Sequence, residues 1–286
     1  MNGIIDVGGG LRGIYSAGIY DYLLDHGVRF DYCLGVSAGS ANLVTYLAGQ
    51  KGRCRRFYTR YALRREYMSL HNFVTKGSYL DLDYIYSTLS NAGGEDPIDY
   101  DAFAASPARM VVAATDARTG QPRYFTREDI TRDHYEVIKA SCALPIACRP
   151  YPVEGKPYFD GGVADPVPYR KALEDGCTRL VVVLTRPRDF RRPPQKHMGL
   201  ARAMLRRYPA ALEQLAKRHI RYNQAVDEIE ALEAGGNVLL LAPRDIDGMS
   251  TLSKNEMAME RLYGYGYQDG AKAAAFLAGA TRPVQV

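Results

Sequence analysis

The segment that most constrains this chain is residues 30–40, Phe-Asp-Tyr-Cys-Leu-Gly-Val-Ser-Ala-Gly-Ser. A short apolar run ends in Gly35-Val36-Ser37-Ala38-Gly39, and a helical pattern of Leu43, Val44, Leu47 and Ala48 starts directly after it. Strand, sharp turn and helix together are the setting that holds a serine on a strained elbow, its hydroxyl projecting from a sheet. Gly35 and Gly39 suit such a turn because strand and helix pass too close there for a β-carbon. The helix points its positive end, and the amide of Ala38, toward any oxyanion formed at Ser37. A glycine-rich turn with an ordinary serine has the same pattern, so the rest of the chain has to decide.

The bounds are those of an ordinary globular protein: 286 residues, 47% hydrophobic and 24% charged, enough for a substantial core. A net charge of +5 permits attraction to anionic surfaces but is far from a nucleic-acid signature, so no nucleic-acid partner is expected. Five scattered cysteines, odd in number and never spaced Cys-x-x-Cys, argue against a disulfide framework or a structural zinc site. The N-terminus enters Gly3-Ile4-Ile5-Asp6-Val7 without a basic start, and no run approaches the ~18 apolar residues of a membrane span. The expectation is a reduced, soluble, cytoplasmic protein.

Along the chain, residues 4–7 read as a strand, 8–13 as a glycine loop and 14–26 as a helix with Gly27 at its end. The elbow unit follows. Two strand-plus-helix units with short connections imply a parallel sheet with helices on its faces. Residues 54–103, rich in Arg and Tyr, read as helices and loops over the site, either a cap or substrate-facing surface or a solvated helical face, and the charge runs favour the solvated face. Residues 110–115, a stretch through Tyr124-Phe125, a run ending at Asp160, and 180–184 read as strands. The Pro- and Arg-rich residues 186–196 read as an exposed mobile loop. Helices are expected over 134–142, 201–234 (interrupted near Pro209) and 256–277, with a last strand at 238–241. No linker is visible, so a single domain over 1–286 is expected.

An activated serine needs a base and an oxyanion hole. None of His26, His71, His134, His197 and His219 sits at the carboxyl end of a predicted strand or in a glycine turn. Asp160 does: it ends an aromatic run, and Gly161-Gly162 lets the backbone turn while the carboxylate stays at the end of the sheet where ligands bind. A plain Asp-Gly turn is the alternative. The loop Gly8-Gly9-Gly10-Leu11-Arg12-Gly13 supplies successive amides at a helix start, suited to an oxyanion. It also fits the Gly-x-Gly-x-x-Gly dinucleotide pattern, with Asp31 as the acidic partner. That reading leaves the elbow unexplained.

Gly8 to Gly13, then Gly35-Val36-Ser37-Ala38-Gly39, then Asp160-Gly161-Gly162 downstream resemble, in that order, the patatin-like phospholipase family. Ser141-Cys142-Ala143-Leu144-Pro145 resembles the small-residue stretch before the family's aspartate, while Val7 and Asp165 depart from the pattern. The resemblance implies a three-layer α/β/α sandwich with a mostly parallel central sheet and a Ser-Asp dyad without histidine. It implies lipid acyl hydrolysis with Ser37 as nucleophile and Asp160 as base. The oxyanion hole would come from Gly8, Gly9 and Gly10, with Arg12 ordering the loop.

The function expected is therefore a serine esterase of fatty-acyl esters, phospholipids or lysophospholipids, working through an acyl-serine and needing no metal or organic cofactor. Gly35, Ala38, Gly39, Gly161 and Gly162 are the turn residues that support it. An acyltransferase using the same acyl-serine, a nucleotide-binding module and a catalytically silent lipid-binding or scaffold protein are the alternatives. The basic segments 53–65 and 186–196 point to peripheral contact with an anionic membrane, or are solvated loops with no partner.

Overall fold

Alternation of apolar side chains along the central strands determines the layering. In β1 (Asn2–Asp6), Ile4 joins one core and Ile5 the other, and Cys33 and Leu34 divide likewise in β2 (Tyr32–Val36). β3 (Arg109–Asp116) and β7 (Arg179–Val183) repeat the pattern, which is what a sheet covered on both faces requires. The computed structural model describes residues 1–279; residues 280–286, the end of the single unit expected over 1–286, lie outside the described residues.

Four further strands, β4 (Pro122–Thr126), β5 (Tyr151–Val153), β6 (Lys156–Asp160) and β8 (Val238–Leu241), complete an eight-stranded sheet. Its order is β5-β6-β3-β2-β1-β7-β8, with β4 also pairing β3. The middle is parallel: β1 lies between β2 and β7, β2 pairs β3, and β7 pairs β8. The β5–β6 side is antiparallel. Strand β5 was not expected from the sequence. It forms a hairpin with β6 through Glu154-Gly155, both at positive φ (49° and 74°), the geometry of a two-residue hairpin turn. Pro152 and Pro157 within the strands hid that hairpin.

The helices are α1 (Ile14–Asp25), α2 (Ala38–Leu47), α3 (Arg53–Arg56), α4 (Leu70–Lys76) and α5 (Tyr100–Ala105). They continue with α6 (Glu136–Ser141), α7 (Tyr169–Glu174), α8 (Met198–Met204), α9 (Pro209–Glu233) and α10 (Glu256–Ala278). Pro209 stands at the first position of α9, where a missing N–H costs nothing, and so separates α8 from α9. Residues of α1, α2 and α10 pack into one core, those of α7 and α9 into the other. The result is an α/β/α arrangement. Tyr15 on α1 donates to Asp269 on α10 (2.7 Å), joining the two helices at their buried faces.

Two expectations about loops are corrected. The segment after α3 is not merely a solvated face: Phe57, Tyr58, Tyr61 and Tyr67 are buried, while Arg56 pairs with Asp96 and Arg60 and Arg64 with Glu95. Arg60 and Arg64 thus spend their charge on one nearby acid, and the aromatic side of the segment closes over the Ser37 end of the sheet. The 186–196 segment is not free either. Arg188 reaches Glu230 and Glu233, and Arg191 reaches Asp227 and Glu230, all on α9.

Candidate active site

The register of β3 brings the two distant candidates together. β3 pairs with β2 as far as Val36↔Ala113, and with β6 from Ala114↔Asp160. Val36 and Asp160 thus oppose consecutive residues of one strand, and Ser37, the next residue after Val36, shares a cleft with Asp160.

Ser37 takes φ 56° and ψ −135°, a conformation that costs a non-glycine residue about 1–3 kcal/mol and persists only where its surroundings hold it. The holding contacts are plain. The Ser37 amide donates to the Ser141 hydroxyl (2.8 Å), and the Ser37 carbonyl accepts from the Ser40 hydroxyl (2.7 Å). A β-carbon on Gly39 would run into the carbonyl and carboxyl of Asp6, and one on Gly35 into the backbone of Ser40. Both glycines are therefore required by close approach, as the motif implies. Ala38 is the first residue of α2, and the glycine loop lies against its amide.

Asp160 is buried at the end of β6. Its Oδ1 accepts from the Gly162 amide (2.8 Å), which fixes the Gly161-Gly162 turn. Burial pushes its pKa above the ordinary 3.8; Arg218, the Ser37 hydroxyl and the Gly162 amide, in that order, draw it partly back. The hydroxyl is near enough to act on the carboxyl, yet the approach falls short of hydrogen-bond geometry and Oδ2 is left without a partner. An unsatisfied carboxylate oxygen thus belongs to the cleft that Ser37 shares. Asp165, the departure in this motif, turns away to accept from the Tyr124 hydroxyl (2.6 Å).

The glycine loop needs one correction. The Gly8 amide donates to Asp6 Oδ1 (2.9 Å), so it is not free to hold an oxyanion. The Gly8 carbonyl accepts from Thr185, and the Leu11 amide donates to the Thr251 carbonyl (2.9 Å). Between these anchors the chain passes Gly9 at φ 134° and Gly10 at φ 59°, and their two amides make no hydrogen bond within the described residues. Arg12 binds the Thr185 carbonyl through Nε (3.1 Å) and the Thr251 hydroxyl through Nη1 (3.4 Å), tying the loop to β7's end and to the segment before α10. Asp6 also accepts from Tyr20 (3.2 Å), and burial lifts its pKa to about 6.

Two cavities meet at Ser37. One is apolar, walled by Leu11, Ala41, Phe57, Tyr67, Ile85 and Tyr86. The other is polar, walled by the glycine loop, Asp160 and Arg12, Arg186, Arg192 and Arg218. None of the five histidines lines either. Asp31 of the dinucleotide reading lies at the opposite end of the sheet, where it accepts from the Asn2 amide (2.7 Å) at the start of β1. The cysteines are all buried and unpaired, and Cys33 and Cys142 lie in the core.

Sequence reasoning missed Asp6, Thr185, Thr251, Arg186, Arg192 and Arg218. Asp6 could have been found as the strand-end residue before the glycine loop. Ser141 stands out in the sequence only as part of a small-residue stretch. Arg186 and Arg192 lie in the basic segment read as a membrane contact or a solvated loop, and for Arg218 nothing in the sequence signals a site; all three reach the cleft from far along the chain.

Residues 7–173 match the family model described as Patatin-like phospholipase, and residues 208–277 match one described as a domain of unknown function (DUF6363). The chain is 33% identical over 193 residues to the uncharacterized protein YjjU of Escherichia coli (strain K12), an overlap of 66% of this chain and 53% of that protein. It therefore spans about half the length of the curated relative it matches. Among solved structures, VipD from Legionella pneumophila aligns over 95% of this chain and 66% of its own, at 15% identity and a TM-score of 0.47.

Proposed function

This chain belongs to the patatin-like phospholipase family, and from that premise we propose that it hydrolyses lipid acyl esters through an acyl-serine on Ser37. The observation that carries the reading is the meeting of Ser37 and Asp160 in one cleft, the serine strained and the carboxylate oxygen unsatisfied. The Ser37 hydroxyl oxygen attacks the ester carbonyl while its proton passes to Asp160. Burial raises the basicity of that carboxylate, which favours the transfer. The amides of Gly9 and Gly10 receive the oxyanion, aided by the start of α2. Collapse expels the alcohol, which takes the proton from Asp160; water then attacks the acyl-serine as Asp160 takes its proton, and the fatty acid leaves as that proton returns to the Ser37 oxygen.

The apolar cavity suits the acyl chain. Outside it, Leu70, Phe73, Leu200, Arg192 and Lys196 line an open groove that shares Leu144 and Leu252 with that cavity, and Leu70 and Leu200 are well exposed. Apolar and basic side chains around the mouth fit a lipid surface better than bulk water. Among the described residues no helix is long and apolar enough to cross a membrane.

The test is release of fatty acid from phospholipid and from an uncharged short-chain ester by wild type, Ser37→Ala and Asp160→Asn. Wild-type turnover with both variants reduced by about 1,000-fold or more supports the reading. Turnover that survives Ser37→Ala overturns it.

A further inference from the structure

Four guanidinium groups close on the polar side of the Ser37 cleft, from three separate parts of the chain. Arg12 follows the glycine loop, Arg186 and Arg192 stand after β7, and Arg218 lies on α9 within the second matched region. Among the described residues Asp160 is the one carboxylate lining this cleft. Like charges gathered where water is scarce repel strongly unless something compensates them. Burial and the neighbouring guanidiniums push Arg12 and Arg192 below the ordinary arginine range.

Neighbouring arginines behave differently. Arg188 and Arg191, on the same segment as Arg186 and Arg192, are neutralised by acids of α9. Arg12 spends N–H groups on Thr185 and Thr251. Arg186, Arg192 and Arg218 make no side-chain hydrogen bond or ion pair among the described residues, and the Nε of each is buried. Two of them are oriented by rings instead: Arg186 lies over Phe190 (4.4 Å) and Arg192 over Tyr222 (5.0 Å). Arg218 rests against the Gly162 turn beside Asp160. Three oriented, unspent forks beside the serine match the oxygens of a tetrahedral anion.

We propose that Arg186, Arg192 and Arg218 form a subsite for the phosphate of the acyl ester presented to Ser37, and that their surplus charge selects head groups carrying no cation. The assignment rests on the reading of Ser37 as an ester-cleaving serine. A phosphoglycerol head group meets only attraction there. A choline or ethanolamine head group brings its own cation into a cleft where four guanidiniums face one carboxylate, and is disfavoured.

The test compares wild type, Arg192→Gln and Arg218→Gln on phosphatidylglycerol and phosphatidylcholine in mixed micelles and on an uncharged short-chain nitrophenyl ester. Arg60→Gln, exposed and paired with Glu95, controls for the loss of one positive charge. Wild type is expected to favour phosphatidylglycerol over phosphatidylcholine. Both site variants lower the ratio of phosphatidylglycerol to uncharged-ester turnover by about tenfold or more, and Arg60→Gln leaves it in place. Labelling of Ser37 by a fluorophosphonate reports that each variant keeps its elbow. An unchanged ratio in labelled variants overturns the subsite. Inorganic phosphate titrated into Ser37→Ala protein separates the two sources of the anion. Binding that needs Arg192 without any change in the lipid ratio makes this a free-phosphate site and overturns the head-group assignment. Cleavage of the uncharged ester with no head-group preference overturns the subsite alone; cleavage of no ester overturns the hydrolase reading on which it stands.

Discussion

The amide of Ser37 donates to the hydroxyl of Ser141 at 2.8 Å, and that hydroxyl donates onward to the carbonyl of Ala113 at 2.7 Å. One side chain from α6 thus fastens the strained elbow to β3, the strand that also pairs with the Asp160 end of β6. Removing it with Ser141→Ala strands a buried amide, at a cost of about 1–3 kcal/mol, and frees the elbow to relax. A fall in Tm together with a lower kcat is expected, whereas Ser141→Thr, which keeps the hydroxyl, restores part of both. An Ala variant with wild-type kcat would show that the elbow holds without this contact.

Gly9 lies between the anchored residues Gly8 and Leu11 of the glycine loop. At φ 134°, with Thr185 occupying the space where a side chain would start, it tolerates no substitution without moving the loop. Gly9→Pro also deletes one of the two free amides and should lower kcat on the order of 100-fold or more. The Gly8 amide serves Asp6, so Asp6→Ala is expected to lower kcat indirectly by releasing the loop. Both are read from ester hydrolysis by folded protein.

The pH dependence of activity follows from Asp160. The carboxylate must be ionised to accept the serine proton, so kcat/KM falls as pH drops through its pKa. Burial places that acid limb above the ordinary 3.8, and Arg218 is the largest influence holding it down. Arg218→Gln should therefore move the limb, measured with an uncharged ester, to higher pH. A limb that stays fixed contradicts the assignment of Asp160 as base.

Stability should carry a separate signature from Asp6. Its folded pKa of about 6 lies above the unfolded 3.8, so the native state holds a proton over that interval that the unfolded chain has released. Stability from this group is full below the unfolded value and is lost as pH rises through about 6, on the order of 3 kcal/mol in all. Asn keeps an acceptor for the Gly8 amide and cannot ionise. Asp6→Asn should gain on wild type between pH 4 and pH 7 in denaturant unfolding, and parallel profiles would refute this.

Much of the fold was legible because its central strands are apolar on both faces and its helices carry ordinary stops. β8 and α1 came out within a residue or two of the expected positions. The β5–β6 hairpin did not, since prolines in both strands mask a turn whose signal is only Glu154-Gly155. The elbow and Asp160 could be read because glycines are forced wherever backbones nearly touch. The arginine cluster could not: Arg188 and Arg186 sit two residues apart and look alike in sequence, yet one meets Glu230 and the other the cleft. Only the docking of residues 186–196 on α9 separates them. For residues 57–67 the sequence offers both a cap and a solvated face; the arginines tip it toward the face, while the fold buries the aromatic side chains between them.

The most direct measurement is intact mass after incubation with a fluorophosphonate, followed by peptide mapping, with Ser37→Ala alongside. A single adduct on Ser37, absent from the variant, is the predicted result and establishes an activated nucleophile at the elbow. A folded wild-type protein that takes up no label, or takes it elsewhere, contradicts the central claim.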